Sequence, residues 1–398
     1  MELSFLFSPK AEVLLREAEA ERWDALKAQS RWRTTLNPEL ARQLTEQLAL
    51  RARARHKLPE WVEAGCRFQG SLLEQSTNPQ VAQARFDALQ GTFAVDLCGG
   101  LGVDTVALAR KFKVVVAVER DPVRAGLLQH NLARLGVTNV DVHVANGLVW
   151  LENALEEELK PDFVFVDPAR RDEQDNRSLS LSDLSPQPAP LIRLARQHEL
   201  PLWVKLSPML DATEGARLLG PVQLTCISLE GECKEWTYEV LSNDDYPLAH
   251  SALVLRKGER WGYQGGYVRQ VPAARQDTEY ACLIEPDVAL YLTDQAEEVV
   301  RLAAREVRRW GHWFLAHACK LPFAGRVLRL VREGAWHRKT FGALLQELDI
   351  SQANIAVRGL PTRPEELYKL LNLRPGGTDY LFFTQTDEGA RYALCRYA

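Results

Sequence analysis

The densest chemistry in this 398-residue chain lies at residues 93–104, Phe-Ala-Val-Asp-Leu-Cys-Gly-Gly-Leu-Gly-Val-Asp. An apolar run ends on Asp96, passes Cys98, turns through Gly99, Gly100 and Gly102, and reaches Asp104. Glycines let a backbone turn sharply and lie against a ligand where a side chain would collide. Apolar positions at helical spacing predict a helix over residues 103–112. Strand, glycine loop and helix then arrive in the order that doubly wound folds use to hold a nucleoside-bearing cofactor. The spacing D-x-C-G-G-x-G is not the dinucleotide G-x-G-x-x-G, in which a helix N-terminus receives a pyrophosphate.

Other residues belong with this loop. Glu119 closes a second apolar run in Val-Ala-Val-Glu-Arg-Asp-Pro, residues 116–122, and Arg120 follows it. A carboxylate there accepts both hydroxyls of a ribose, which fits any adenosine cofactor; a solvated glutamate is the alternative. Asn146-Gly147 stands after a third run, where a polar side chain meets an adenine edge, although Asn-Gly is also an ordinary turn. Residues 163–171, Phe-Val-Phe-Val-Asp-Pro-Ala-Arg-Arg, set Asp167 and Pro168 at the end of a fourth run. Arg170 there either stacks on a base or contacts a phosphate, or, with Arg171, pairs with Asp172, Glu173 and Asp175. Lys205, at the end of a central strand, either faces the cleft or pairs with Asp167.

Positioning these residues takes a parallel sheet. Short apolar runs at 93–97, 114–118, 141–144, 163–166 and 201–206 alternate with helical stretches, the pattern of parallel strands. Runs at 222–229 and 235–241 are separated by only five residues, too few for a crossover helix, so they predict an antiparallel hairpin at the sheet's edge. Residues 1–90, rich in Ala, Leu, Glu and Arg, predict a helical region. Loops and an accessory strand at 252–256 fill 242–280. Beyond them a helix at 297–310, strands at 326–331, 354–357, 380–383 and 391–396, and helices at 340–348 and 364–371 predict a small α+β module. The organisation is thus 1–90, 91–280 and 281–398.

A net charge of -4 argues against a protein that coats nucleic acid by charge alone. Seven cysteines without a CxxC pair fit neither a disulfide framework nor a zinc site, so the expectation is reduced thiols in a cytoplasmic protein with no metal. No run approaches the roughly 18 apolar residues that a membrane span requires.

The acid-preceded glycine loop resembles motif I of class I S-adenosylmethionine (SAM)-dependent methyltransferases, and five parallel strands plus an edge hairpin are that family's topology. The resemblance implies an α/β fold with a Rossmann-like seven-stranded class I methyltransferase sheet, and SAM as the cofactor. Asp167-Pro168 resembles motif IV of members acting on nucleic-acid bases, D-P-P-[YFR], which lines the target pocket. Here Ala169 replaces the second proline and Arg170 the stacking aromatic. D-P-P-R is also the form seen in carbon-5 uridine methyltransferases, whose mechanism requires a cysteine soon after the fifth strand. Residues 203–209, Trp-Val-Lys-Leu-Ser-Pro-Met, hold none, and a serine hydroxyl is too weak an acid to replace a thiolate. Direct transfer to nitrogen or oxygen remains, needing only alignment and a proton acceptor. Asp167 is expected to orient the substrate, with Pro168, Arg170 and Lys205 beside it.

Residues 72–78, Leu-Leu-Glu-Gln-Ser-Thr-Asn, together with Arg-Ala-Arg-Ala-Arg-His-Lys at 51–57 and the D-P-A-R-R turn, resemble bacterial class I methyltransferases that carry a C-terminal THUMP-like domain. In that family the L-E-Q-[AS]-[ST] stretch packs over the cofactor loop, which implies that Gln75, Ser76 and Thr77 approach SAM. Read without the family, Ser76 or Thr77 is a helix cap. Residues 280–290 resemble the opening of the THUMP-like domain, for which a ferredoxin-like α+β fold and a likeness to RNA-binding modules are implied. Between residues 299 and 339, ten Lys and Arg stand against Glu306 and Glu333. Trp310, Trp313, Phe314 and Phe323 interleave them and either stack bases or form core. The leading reading is methyl transfer to a nitrogen or oxygen of RNA, tRNA or rRNA. The alternatives are a methyltransferase for a small metabolite or protein, and a non-catalytic SAM-binding RNA-interaction protein.

Overall fold

The computed structural model describes residues 3–170, 184–208, 212–220, 222–241, 250–264, 280–304 and 306–397. They fall into two compact units, Met1–Ile227 with Lys234–Ala249, and Ser228–Cys233 with His250–Ala398.

The first unit opens with helices at Leu3–Leu6, Pro9–Ala20, Ala25–Trp32, Pro38–Ala54, Pro59–Ala64, Gly70–Gln75 and Pro79–Phe86. Ser8, Asp24, Asn37 and Asn78 each cap a helix by accepting a backbone N–H of its first turn. The sheet follows: β1 (Gly91–Asp96), β2 (Phe112–Glu119), β3 (Val140–Val144), β4 (Phe163–Val166), the short pair β5 (Ala169–Arg170) and β6 (Leu184–Ser185), then β7 (Leu202–Leu206), β8 (Val222–Leu229) and β9 (Glu232–Val240). Seven consecutive strands of a nine-stranded sheet stand in the order β8-β9-β7-β4-β1-β2-β3. β3, β2, β1, β4 and β7 run parallel, and β9 pairs antiparallel with β7, Leu202 opposite Val240. This is the expected seven-stranded class I arrangement. The strand order reverses at β1, whose neighbours are β2 and β4, so the carboxyl ends of β1, β2 and β4 border the crevice where such sheets bind ligands.

Ala94, Val95, Val115, Ala117, Phe163 and Phe165 are buried in this sheet, and one core joins several of them to Leu50, Trp61, Phe68, Leu72 and Phe86 of the preceding helices. The helix after the glycine loop spans Val103–Ala109 and ends before the expected 112. Phe112 opens β2 instead, its ring stacked on Phe163 at 5.8 Å.

The second unit contains the hairpin β10 (His250–Arg256) and β11 (Glu259–Gln264), then β12 (Cys282–Pro286), β13 (Val307–Trp310), β14 (Trp313–Ala316), β15 (Gly325–Ala335), β16 (Gln352–Arg358), β17 (Arg374–Thr386) and β18 (Gly389–Tyr397). The last seven form one sheet, β13-β14-β12-β15-β18-β17-β16. Helices Ala296–Ala303, Arg338–Glu347 and Pro364–Leu371 accompany it.

Several expectations for this unit are corrected. The helix expected over 297–310 stops at Ala303, because Val307–Trp310 pairs with β14 across Gly311, whose φ of +60 suits the turn. Trp310, Trp313, Phe314 and Phe323 are core, with exposures of 3%, 0%, 3% and 7%, so none presents a ring for base stacking. Half of the basic run is paired with acids, most of them outside it: Arg301 and Arg309 pair with Glu297, Arg326 with Glu285, and Arg332 with Glu347, while Arg308 pairs with Glu333. Lys320, Arg329 and Arg338 are exposed. Finally, Cys282 and Cys319 stand side by side, Cα atoms 5.5 Å apart, a spacing that a disulfide can bridge. β12 lies beside β14, and the chain leaving β14 returns Cys319 to it, a proximity that a sequence separation of 37 does not announce.

Candidate active site

Asp96 ends β1 fully buried. Its carboxylate accepts the Cys98 N–H at 3.0 Å and the Thr105 hydroxyl at 2.6 Å, pinning the loop to the helix behind it. Burial pushes the carboxyl up to about 7, against the pull of those two bonds. Gly100 and Gly102 take left-handed conformations, φ +52 and +98. A Cβ on Gly99 or Gly102 would come within 2.6 or 2.5 Å of the Leu128 side chain, so these glycines also let helix Pro122–Arg134 close on the loop. Glu119, at the end of β2, accepts the N–H groups of Gly100 at 3.1 Å and Asp121 at 3.0 Å, fixing its carboxylate against the loop.

Five predicted cofactor positions, Cys98, Glu119, Arg120, Asn146 and Gly147, line one cleft at the carboxyl ends of β1, β2 and β3. Asn146 caps helix Gly147–Glu156 by accepting the Leu148 N–H at 3.0 Å, so the ordinary-turn reading also holds for it. A Cβ on Gly147 would lie 2.6 Å from the Leu97 carbonyl oxygen. Arg120 donates to the Ser185 hydroxyl at 3.0 Å, tying β2 to β6 along the rim. The cleft fits a nucleoside: it offers a strand-end carboxylate for hydroxyls, and Arg124 presents in its wall an Nε that is buried without a hydrogen-bond partner. Burial, with Asp96, Asp167 and Glu119 nearby, holds the Cys98 thiol well above its usual range, so Cys98 is no nucleophile at neutral pH.

Next to this cleft lies a chain of polar contacts. Lys205, at the end of β7, donates to Asp167 at 2.5 Å and to the Thr77 hydroxyl at 2.8 Å. Thr77 also contacts Asp104 at 2.8 Å, and Arg85 donates to Asp104 at 2.6 Å while gripping both oxygens of Glu235. Burial raises the Asp167 carboxyl, Asp104 adding to the rise and Lys205 opposing it. Burial works against the Lys205 charge as well, yet Asp167, Asp104 and Glu235 hold the ammonium above its usual range. Ala169, two residues beyond Asp167, lines the cofactor cleft, so the Asp167-Pro168 turn joins the two regions. Pro168 is buried. The Arg170 side chain and residues 171–183, including Arg171, Asp172, Glu173 and Asp175, lie outside the described residues.

The remaining predicted positions do other things. Ser76 caps the C-terminus of helix Gly70–Gln75, its N–H donating to Leu72 at 2.8 Å and its hydroxyl to Leu73 at 3.0 Å; Gln75 is exposed. Arg85, Thr105 and Arg124 escaped sequence reasoning. One signal was present for Arg85: it stands four residues after Val81 on the buried face of helix Pro79–Phe86, where a charged residue requires partners. Arg124 stands four residues after Arg120, in the first turn of helix Pro122–Arg134.

Among the described residues no helix is long and apolar enough to cross a membrane, and no group of three or more His, Cys, Asp or Glu is placed to hold a metal ion. Residues 325–397 match the family model for THUMP domain-like proteins, and residues 75–186 that for conserved hypothetical protein 95. An uncharacterized S-adenosylmethionine-dependent methyltransferase of Mycobacterium tuberculosis, from strains CDC 1551 and H37Rv, is 28% identical over 89% of this chain and 95% of its own length. The crystal structure of a candidate methyltransferase from Porphyromonas gingivalis W83 is 26% identical, covers 98% of both chains and superposes with a TM-score of 0.79. Sheet order and these likenesses together show a class I methyltransferase fold followed by a THUMP-like region, and make the chain similar to SAM-dependent methyltransferases over nearly its whole length.

Proposed function

We propose that the protein transfers the methyl group of SAM to a nitrogen or oxygen of RNA, tRNA or rRNA, in the cytoplasm, with Asp167 orienting the acceptor. The observation that carries this reading is the Asp167-Pro168 turn. Its carboxylate is one-third exposed, at 34%, and fixed by Lys205, while Ala169 of the same turn lines the cofactor cleft. Bound SAM supplies a methyl group on a sulfonium, which leaves as a neutral thioether. Glu119 and Asn146 would hold the nucleoside, and the glycine loop would let it lie against the backbone. Asp167 would accept a hydrogen bond from the acceptor's N–H or O–H, aligning its lone pair, and take up the proton that transfer releases. Its raised carboxyl makes it a better base than a free carboxylate. The protonated Cys98 argues for direct transfer over a covalent route.

RNA is favoured over a metabolite or protein acceptor by the THUMP-like match and by the exposed Lys320, Arg329 and Arg338 within the basic run. Incubating the enzyme with labelled SAM and RNA from cells lacking it should place label in RNA. Asp167→Asn should lower that signal at least roughly 100-fold. Label in metabolites or protein alone would select the first alternative, and SAM binding without label in any pool the non-catalytic one.

A further inference from the structure

Thr77 was implied as a cofactor contact, but its hydroxyl makes its hydrogen bonds to Lys205 and Asp104. A hydroxyl has one proton to donate and lone pairs to accept with. Lysine only donates and an ionised carboxylate only accepts, so the two contacts of Thr77 have one possible direction: it accepts from Lys205 and donates to Asp104. The residue is 7% exposed, and its single proton is already used.

The path continues in both directions. Asp104 is anchored by Arg85, whose side chain is 1% exposed and whose other contacts hold the equally buried Glu235. Lys205 is 11% exposed and sits 4.0 Å from Asp104. Lysine carries its charge on a flexible four-carbon stem, so holding the ammonium in one place takes more than one fixed partner. Asp167 is one such partner and Thr77 the other.

We infer that Thr77 is a positioning residue of the acceptor side, locking the Lys205 ammonium against Asp167 through a relay anchored on Arg85, and that it is not a cofactor contact. The inference rests on the assignment of Asp167 to the acceptor. Its direction follows from the groups around that carboxylate: Lys205 from β7, Asp104 and Arg85 from the flanking helices, Glu235 from β9, and Asp96 and Cys98 from β1 and its loop. Of these, only Lys205 and Arg85 favour its ionised form by charge, and Lys205 is the one that touches it.

Two readouts on the full-length protein, neither needing RNA, test the relay. Calorimetry should find the SAM affinity of Thr77→Val within about twofold of wild type, because the cofactor cleft is not lined by Thr77. A ¹³C NMR titration of protein labelled at aspartate Cγ, with Asp167→Asn identifying the resonance, should show the Asp167 midpoint rising by about one pH unit in Thr77→Val. Thr77→Ser, which keeps the hydroxyl, should restore it. If the valine variant does not fold, Thr77→Cys, a weaker donor and acceptor, should show an intermediate rise. A tenfold or greater loss of SAM affinity in Thr77→Val would return Thr77 to the cofactor, and an unmoved Asp167 titration would remove the relay. Failure to label RNA counts against the acceptor assignment alone and leaves these two results unchanged.

Discussion

Arg85→Met is expected to destabilise the first unit by about 3–5 kcal/mol, the penalty for leaving a buried carboxylate without its counter-charge. The figure follows from the contacts. The Arg85 side chain, 1% exposed, grips both oxygens of Glu235, also 1% exposed, and one oxygen of Asp104 at 2.6 Å. Without it Glu235 keeps the Thr237 hydroxyl at 3.3 Å but loses the guanidinium that grips both its oxygens, while Asp104 retains Thr77 and a more distant Lys205. The loss corresponds to a folding equilibrium lowered by roughly 150-fold to several thousandfold. Urea unfolding followed by circular dichroism should show it as a lower midpoint at unchanged slope. Arg85→Met with Glu235→Leu should recover most of the loss, because well-packed apolar residues replace a buried ion pair at little cost.

The pH dependence has a definite sign. Burial alone would raise Asp104, but Arg85 and Lys205 hold it below the usual carboxylate range. Its contribution is therefore present above the unfolded-state value and is lost as pH falls through the folded one. Wild type and Arg85→Met should converge in stability as acid is added. A loss under about 1 kcal/mol at neutral pH, or a double variant as unstable as the two single losses combined, would refute the reasoning.

Three further outcomes are expected. Asp96, raised to about 7 by burial, favours the folded state most when protonated, so wild-type stability falls as pH climbs from the unfolded carboxyl value through 7. Asp96→Asn should gain on wild type over that interval by up to roughly 4 kcal/mol in thermal unfolding, and a difference flat from pH 4 to 8 would contradict it. Gly102→Ala combines a φ of +98 with a Cβ 2.5 Å from Leu128 and should cost about 1–3 kcal/mol more than Gly136→Ala, where φ is +70 and nothing lies within 4 Å; equal losses would show that packing at Gly102 does not matter. Trp313→Ala should destabilise the second unit by about 3–5 kcal/mol, since the indole is wholly buried against Phe382. A stable variant that loses RNA affinity would instead make Trp313 a stacking platform.

The parallel sheet and the glycine loop were legible because both are local: β-branched runs between helical stretches, and glycines where the backbone turns. Glu119, Cys98, Arg120, Asn146 and Gly147 share one cleft because each stands at or just beyond the carboxyl end of a parallel strand, a position the pattern marks. What stayed hidden depends on distant partners. Thr77 reaches Asp104 across 27 residues and Lys205 across 128, so the motif placed it near the site without revealing what it bonds. The basic run read as a surface because Glu285, Glu297 and Glu347 stand outside the window that was counted. Val307–Trp310 read as a helix because four residues carry too little periodicity to outweigh the helix before them, and pairing with β14 decides their conformation.

The assignment of the cleft is tested most directly by calorimetric titration of SAM into the wild-type protein and Glu119→Ala. Wild type should bind one SAM per chain. Glu119→Ala should bind at least about tenfold more weakly, having lost both the hydroxyl acceptor and the bond that sets Gly100. Absence of binding to wild type, or equal affinity in the two proteins, would contradict the placement of the methyl donor.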